Sequence, residues 1–141
     1  MGWGLDASLE LEKDLALVLD IHHHWIRDEE YIEANDDRVK RVIESWRGQR
    51  PTLHYSYSRD EHLAIANLGD KTHAEMHDIK MLLARGCKKQ KLRAHSDLLP
   101  NKAVNDWALS FSENFDIQTE AKGKNMAQEQ LYRQAKEKSV I

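Results

Sequence analysis

The chain has 141 residues, enough for one hydrophobic core and too few for two ordinary domains, so we expect a single domain over residues 1–141. Its 40% hydrophobic and 32% charged residues are typical of a soluble globular protein, and no apolar run approaches the roughly 18 residues of a membrane span. The lack of a signal peptide and the single cysteine, Cys87, predict a cytoplasmic protein without an internal disulfide. The net charge of -3 does not by itself indicate a nucleic-acid-binding protein.

The first half of the chain contains two predicted strands. After a short helix over residues 7–14, five apolar residues lead into Asp20 and predict a strand over residues 15–21. A short continuous apolar run of this kind is typical of a buried parallel strand. An irregular acidic stretch (25–35), a helix from Asp36 or Asp37 to Arg47, and a second, alternating strand (52–58) follow.

The second half of the chain repeats this order. Residues 72–84 form a predicted helix, and a basic run then leads into a short third strand over residues 92–95. A helix over residues 101–113, a fourth strand (115–121) and a final helix (124–138) complete the pattern. Alternating strands and helices predict an α/β fold with a parallel sheet and right-handed crossovers.

Every predicted strand ends near a side chain that can bind a metal ion. Asp20 and His23 follow the first strand, His54 lies in the second, His95 ends the third and Glu120 ends the fourth. Parallel α/β folds place their chemistry at the carboxyl ends of the strands, so we expect these side chains to converge. Imidazoles and carboxylates together suit zinc, manganese or iron, and such a centre can activate water for hydrolysis of a phosphodiester.

Each of these residues also has an ordinary structural explanation. A single histidine at a strand end is usually a hydrogen-bonded structural residue, and Glu120 is also explained by a solvated ion pair with Lys122. The metal interpretation depends on all four strands ending in the same way.

The other histidines, the cysteine and the tryptophans have simpler roles. We expect His22 and His24 to support or pack against the site, and three histidines to lie at the solvated surface: His62, His73 and His77. The basic neighbours of Cys87 favour a lowered pKa of its thiol, but no catalytic partner set accompanies it. Trp25 is either a core residue or the lining of a pocket.

Four ordered segments carry the candidate residues: Leu19-Asp-Ile-His-His-His24, Leu53-His-Tyr-Ser56, Arg93-Ala-His-Ser-Asp97, and Phe115-Asp-Ile-Gln-Thr-Glu-Ala-Lys122 together with Gln130-Leu-Tyr-Arg133. In this order they resemble the C-terminal half of the UV-damage endonucleases. That family is similar to the larger group of metal-dependent (β/α)₈ barrels that includes endonuclease IV and xylose isomerase. The resemblance extends from about Gly4 to Gln134.

The resemblance implies an enzyme of DNA excision repair that nicks double-stranded DNA on the 5′ side of UV photolesions. Its metal centre would contain several divalent ions, manganese or zinc. Asp20 and His54 would share one metal with Glu120, while His23 and His95, with Asp97, would hold another. The catalytic residues implied are Glu120 and Lys122, with Lys122 facing phosphate.

A full barrel of this type has eight strands in about 250 residues, so the resemblance implies a C-terminal half-barrel of about four βα units. Such a half-barrel needs an N-terminal half or a second copy of the chain as its partner. Thr52 also departs from the family, which usually has a lysine at that position.

A basic cluster before His95 favours a DNA partner: Lys88, Lys89, Lys91 and Arg93, joined by Lys122. The alternative explanation is an ordinary solvated face. Two alternative functions stay open from the sequence: an inactive DNA-binding or interaction remnant of such an enzyme, and a sugar isomerase or epimerase of the same barrel group.

Overall fold

The computed structural model describes residues 4–9, 15–63, 75–121 and 123–138. Within these ranges the helices and strands are, in order, α1 (Leu5–Leu9), β1 (Leu19–Asp20), α2 (Ile21–Asp28), α3 (Asp37–Ser45), β2 (Thr52–Tyr55), α4 (Asp60–Leu63), α5 (Ile79–Ala84), α6 (Lys89–Leu92), α7 (Lys102–Leu109), β3 (Asp116–Thr119) and α8 (Lys124–Glu137). No helix among them is long and apolar enough to cross a bilayer.

The three strands form one parallel sheet in the order β1-β2-β3. Its register places Asp20 opposite His54, and His54 opposite Gln118. Because all three strands run in the same direction, their carboxyl ends lie at one edge. The α/β class with parallel strands is therefore confirmed, while the half-barrel stays a prediction.

The two faces of the sheet differ in composition. Side chains alternate along a strand, so Leu53 and Tyr55, both fully buried, lie on the face opposite His54. The hydroxyl of Tyr55 donates to Asn105 of α7 at 2.6 Å, and that of Thr119 donates to Gln128 of α8 at 2.8 Å. Helices α7 and α8 thus cover the apolar face, and the opposite face carries the candidate ligands.

The first predicted strand is shorter than expected because Asp20 ends it. The Asp20 carboxylate accepts a hydrogen bond from the backbone N–H of His23 at 2.9 Å and so caps α2. Helix α2 then extends into the start of the stretch predicted to be irregular, over residues 25–28, and it ends at Glu29 in the left-handed conformation, φ 59°. Leu15 and Val18 are about half exposed, so the apolar run is not wholly buried.

The predicted third strand over residues 92–95 is wrong. Residues 89–92 form the single turn of α6, because Lys, Gln and Leu are good helix formers and the carbonyl of Lys88 accepts from the N–H groups of Lys91 and Leu92. His95 instead makes an isolated antiparallel bridge with Ser58. The sheet consequently has three strands in the described part of the chain.

The other predicted elements agree more closely with the structure. Helices α3, α7 and α8 and strand β3 lie where they were predicted, each within a few residues. Helix α5 starts only at Ile79, capped by Asp78, because residues 75–78 are not helical. Thr72, the predicted start of that helix, and residues 10–14 of the predicted first helix lie outside the described residues.

Candidate metal centre

Three side chains meet at the carboxyl edge of the sheet. Asp20 ends β1, His54 lies beside it on β2, and Glu120 directly follows β3. The backbone N–H of Glu120 donates to the carbonyl of Tyr55 at 2.8 Å, so the strand ladder continues to Glu120 and fixes its position.

The potential ligand atoms of Asp20, His54 and Glu120 all lie within 4.8 Å of one another. Nδ1 of His54 is 3.2 Å from Oε1 of Glu120, and these side chains are 31% and 36% exposed. Two donors held at about 2.1 Å by one tetrahedral ion are about 3.4 Å apart, so the His54–Glu120 pair is close to a coordinating distance.

The composition of this group also fits a cation. An imidazole and two carboxylates are the donor set that zinc and manganese accept. Two carboxylates in one half-buried group repel each other, and a divalent ion between them would remove that repulsion. We conclude that the residues fit a metal ion, and that the structure brings together three of the five side chains that the sequence predicted to converge.

The second predicted pair of ligands is not brought into this group. His95 lines an open cleft together with Glu120, Gln118 and Asn125. His23 lies beside Asp20 in a different small cleft against Leu17 and Val18. Asp97 is exposed, and its carbonyl accepts from the N–H of Gly123 at 2.7 Å. A second metal at His23 and His95 therefore stays a prediction.

His22 is buried next to the candidate centre, 6% exposed. Its Nδ1 lies 2.9 Å from the hydroxyl of Ser56, and its Nε2 lies 2.9 Å from that of Ser58. Burial, and then the nearby His95 and His23, lower the pKa of His22 to about 3. The sequence predicted a supporting role for His22 but missed both serines, which the alternation of residues 54, 56 and 58 would have placed on one face.

Comparison with known protein families identifies the relationship. The model of the family described as UV-endonuclease UvdE matches residues 2–141. The chain belongs to the UV-endonuclease UvdE family. No curated protein and no solved structure matches the chain. Membership in the UvdE family confirms the resemblance found in the four ordered segments and relates the chain to endonucleases that act on UV-damaged DNA.

The predicted DNA-contacting residues of this UvdE chain differ in their surroundings. Lys88, Lys91 and Arg93 are exposed on or beside α6. Lys89 is engaged, because its Nζ lies 3.2 Å from a carboxylate oxygen of Glu29. Lys122, predicted to be catalytic and to face phosphate, lies outside the described residues.

The structure corrects the predicted exposure of His77 and the predicted pKa shift of Cys87. His77 is buried, not at the surface, since its Nε2 lies 2.6 Å from the hydroxyl of Tyr57. Burial raises the pKa of the Cys87 thiol, so the expected lowering is wrong.

The remaining candidates have clear positions. Trp25 is a core residue, 4% exposed. His24 is buried, with its ring nitrogens 3.1 Å from Asp28 and 2.8 Å from Glu30, which agrees with a packing role. His62 is half-buried on α4, and His73 lies outside the described residues.

Proposed function

We propose that the chain is the C-terminal half of a metal-dependent endonuclease that hydrolyses the phosphodiester 5′ to UV photolesions in double-stranded DNA. The observation that carries this proposal is the group of Asp20, His54 and Glu120 at the carboxyl edge of a parallel sheet, in a chain of the UvdE family. Family membership also favours a nuclease over a sugar isomerase, because the matching family is described by its endonuclease activity.

In this proposal Asp20, His54 and Glu120 hold a divalent ion, manganese or zinc, and His23, His95 and Asp97 hold a further one. When bound, such an ion lowers the pKa of a coordinated water and stabilises negative charge on the phosphodiester. The protein chain holds the ligand side chains in place. The N–H of His23 orients the Asp20 carboxylate, and strand pairing fixes His54 and Glu120.

The chain also contributes contacts to the substrate. Lys88, Lys91 and Arg93 are exposed in the segment that leads to His95, where they would neutralise phosphates of the DNA backbone. Lys122, two residues after Glu120 in the sequence, would face phosphate.

The sheet supports a partner half-barrel. The outer edges of β1 and β3 pair with no other strand in the described ranges, and the face with His54 and Gln118 is only partly covered. Parallel sheets are normally buried on both faces and protected at their edges. An N-terminal half-barrel, or a second copy of this chain, would pair with the outer strand edges and cover the partly exposed face of the sheet.

The test is a nicking assay on UV-irradiated supercoiled plasmid with Mn²⁺, using this chain alone and together with the N-terminal half of a UvdE enzyme. Nicking in either reaction, and its loss in His54→Ala or Glu120→Ala, would support the proposal. Metal binding without nicking in both reactions would favour the DNA-binding remnant. Aldose isomerisation without nicking would favour the isomerase.

A further inference from the structure

One buried ring connects three segments of the candidate centre. The imidazole of His22 lies between the hydroxyls of Ser56 and Ser58, at 2.9 Å from each. Both serines are 1% exposed, so water does not compete for these hydrogen bonds. A buried polar group of this kind must be satisfied by its protein partners.

The hydrogen bonds determine which nitrogen of His22 carries the proton. Ser58 donates its hydroxyl hydrogen to the carbonyl of Leu92 at 2.7 Å, so its oxygen can only accept from His22. Nε2 of His22 is therefore the N–H donor, and Nδ1 accepts from the hydroxyl of Ser56. Because both nitrogens are used in this way, His22 is not itself available as a metal ligand.

The same ring lies against His95. The centroids of the His22 and His95 rings are 5.9 Å apart, in an edge-to-face arrangement with an interplanar angle of 69°. Ser58 and His95 also form a backbone bridge, and the N–H of Ser96 donates to the carbonyl of Tyr57 at 2.7 Å. His22 thus touches the segment of His95 through its ring and through Ser58.

The position of His22 in the chain links this contact to the other ligands. His22 follows Asp20 by two residues and precedes His23 directly, while Ser56 follows His54 by two residues. Displacing the ring would change the distance between α2 and the segment after β2, and with it the relation of His95 to Asp20 and His54.

We propose that His22 is a positioning residue of the metal centre, which sets the orientation of His95 relative to Asp20 and His54 through Ser56 and Ser58. This inference rests on the proposed function. Groups outside the ligand sphere that orient metal ligands commonly change metal affinity about 10- to 100-fold when they are replaced.

The first measurement is made without metal, by NMR of the histidine rings in the full chain. We expect the wild-type His22 to show the Nε2–H tautomer. Ser58→Ala and His22→Ala should shift the ring signals of His95. Tyr55→Phe is the matched control, because it deletes a buried hydroxyl of β2 that bonds to Asn105 instead. Unchanged His95 signals in both test variants, or the Nδ1–H tautomer, would overturn the inference.

The second measurement is the affinity for Mn²⁺ by calorimetry. We expect His22→Ala and Ser58→Ala to bind about 10-fold more weakly, and Tyr55→Phe to bind as wild type. His22→Gln, which keeps an N–H near the position of Nε2, should recover most of the affinity. Equal affinities in all variants, or an equal loss in Tyr55→Phe, would show a merely structural role.

The two measurements separate the inference from the proposed function. A wild-type chain that binds no Mn²⁺, alone or with an N-terminal half, overturns the proposed metal centre and the role of His22 in it. Normal Mn²⁺ binding with no effect of Ser58→Ala overturns the role of His22 alone. If His22→Ala does not fold, Ser58→Ala and His22→Gln give the same comparison.

Discussion

Nδ1 of His54 and Oε1 of Glu120 lie 3.2 Å apart, although the two residues come from different strands. An isolated imidazole–carboxylate pair at a half-exposed position would contribute little to stability. The carboxylate of Asp20 lies in the same group, and two carboxylates with an imidazole form a donor set for a cation. The pair is therefore better explained as part of a metal site than as a stabilising ion pair.

Removing one of these donors should remove metal. We expect His54→Ala and Glu120→Ala each to lower the affinity for Mn²⁺ or Zn²⁺ at least about 10-fold, because each leaves only two protein donors at the site. Isothermal calorimetry and metal content after dialysis would measure the loss.

The matched control for Glu120 is Asp116→Ala, on the same strand. Asp116 lies at the opposite end of β3 and pairs with Arg50 at 2.6 Å on the surface. Its loss should leave the metal affinity unchanged. Full metal content in both His54→Ala and Glu120→Ala would show that these residues are not ligands.

The candidate group could be predicted from the sequence because it depends on short-range patterns. The apolar run before Asp20 and the alternation around His54 and Glu120 each indicate a strand, and parallel strands place their carboxyl ends together. Helices α3 and α8 could also be predicted from the sequence, because their apolar residues recur at helical spacing.

The position of His95 could not be predicted because it depends on contacts distant in sequence. Residues 92–95 contain no pattern that separates a strand from the end of a helix, and His95 pairs with Ser58, which lies far from it in the sequence. His77 is a similar case, because the hydroxyl of Tyr57 satisfies a buried ring that the local polarity had assigned to the surface.

The exposed basic residues on and beside α6 should contribute to DNA binding through charge. We expect Lys88→Ala, Lys91→Ala and Arg93→Ala each to weaken binding to an irradiated duplex and to reduce the slope of log K against log salt by about 0.9 per phosphate contact. Fluorescence anisotropy at several salt concentrations would measure both effects.

Lys89 and Lys40 provide internal comparisons for this experiment. Lys89→Ala should have a smaller effect, because its Nζ is engaged by Glu29 at 3.2 Å. Lys40 of α3, whose Nζ lies 3.7 Å from a carboxylate oxygen of Asp37 in a highly exposed pair, is the control for general loss of positive charge. A salt slope that changes as much in Lys40→Ala as in Lys91→Ala would argue against a DNA-contacting surface on α6.

Asp36 should make the stability of the chain depend on pH. Its carboxylate caps α3 and accepts from the side chain of Arg38, which lowers the pKa of Asp36 below its ordinary value of 3.8. Because the folded state holds the charged form more strongly, this stabilisation is complete above pH 3.8 and is lost as the pH falls through the lowered pKa.

Asp36→Ala should therefore lower the free energy of unfolding by about 1 kcal/mol near neutral pH, and by less in acid. Urea denaturation of wild type and Asp36→Ala, once near neutral pH and once in acid below the ordinary pKa of 3.8, would measure the difference. Asp36→Asn keeps a capping oxygen and is the control. If Asp36→Ala destabilised the chain equally at both pH values, the charge would have no part in the effect.

Gly123 should be intolerant of a side chain because it holds two loops of the candidate centre together. A Cβ at this position would lie 2.3 Å from the carbonyl oxygen of Asp97, which accepts from the Gly123 N–H at 2.7 Å. We expect Gly123→Ala to lower the free energy of unfolding by about 1–3 kcal/mol, because the backbone at Asp97 must move.

That movement should also weaken Mn²⁺ binding, since His95 precedes Asp97 by two residues and Glu120 precedes Gly123 by three. Urea denaturation and calorimetry would measure the two effects, with Met126→Ala, an exposed position in the first turn of α8 outside the cleft of His95 and Glu120, as the control. Unchanged stability in Gly123→Ala would mean that the close approach of the two loops is not required.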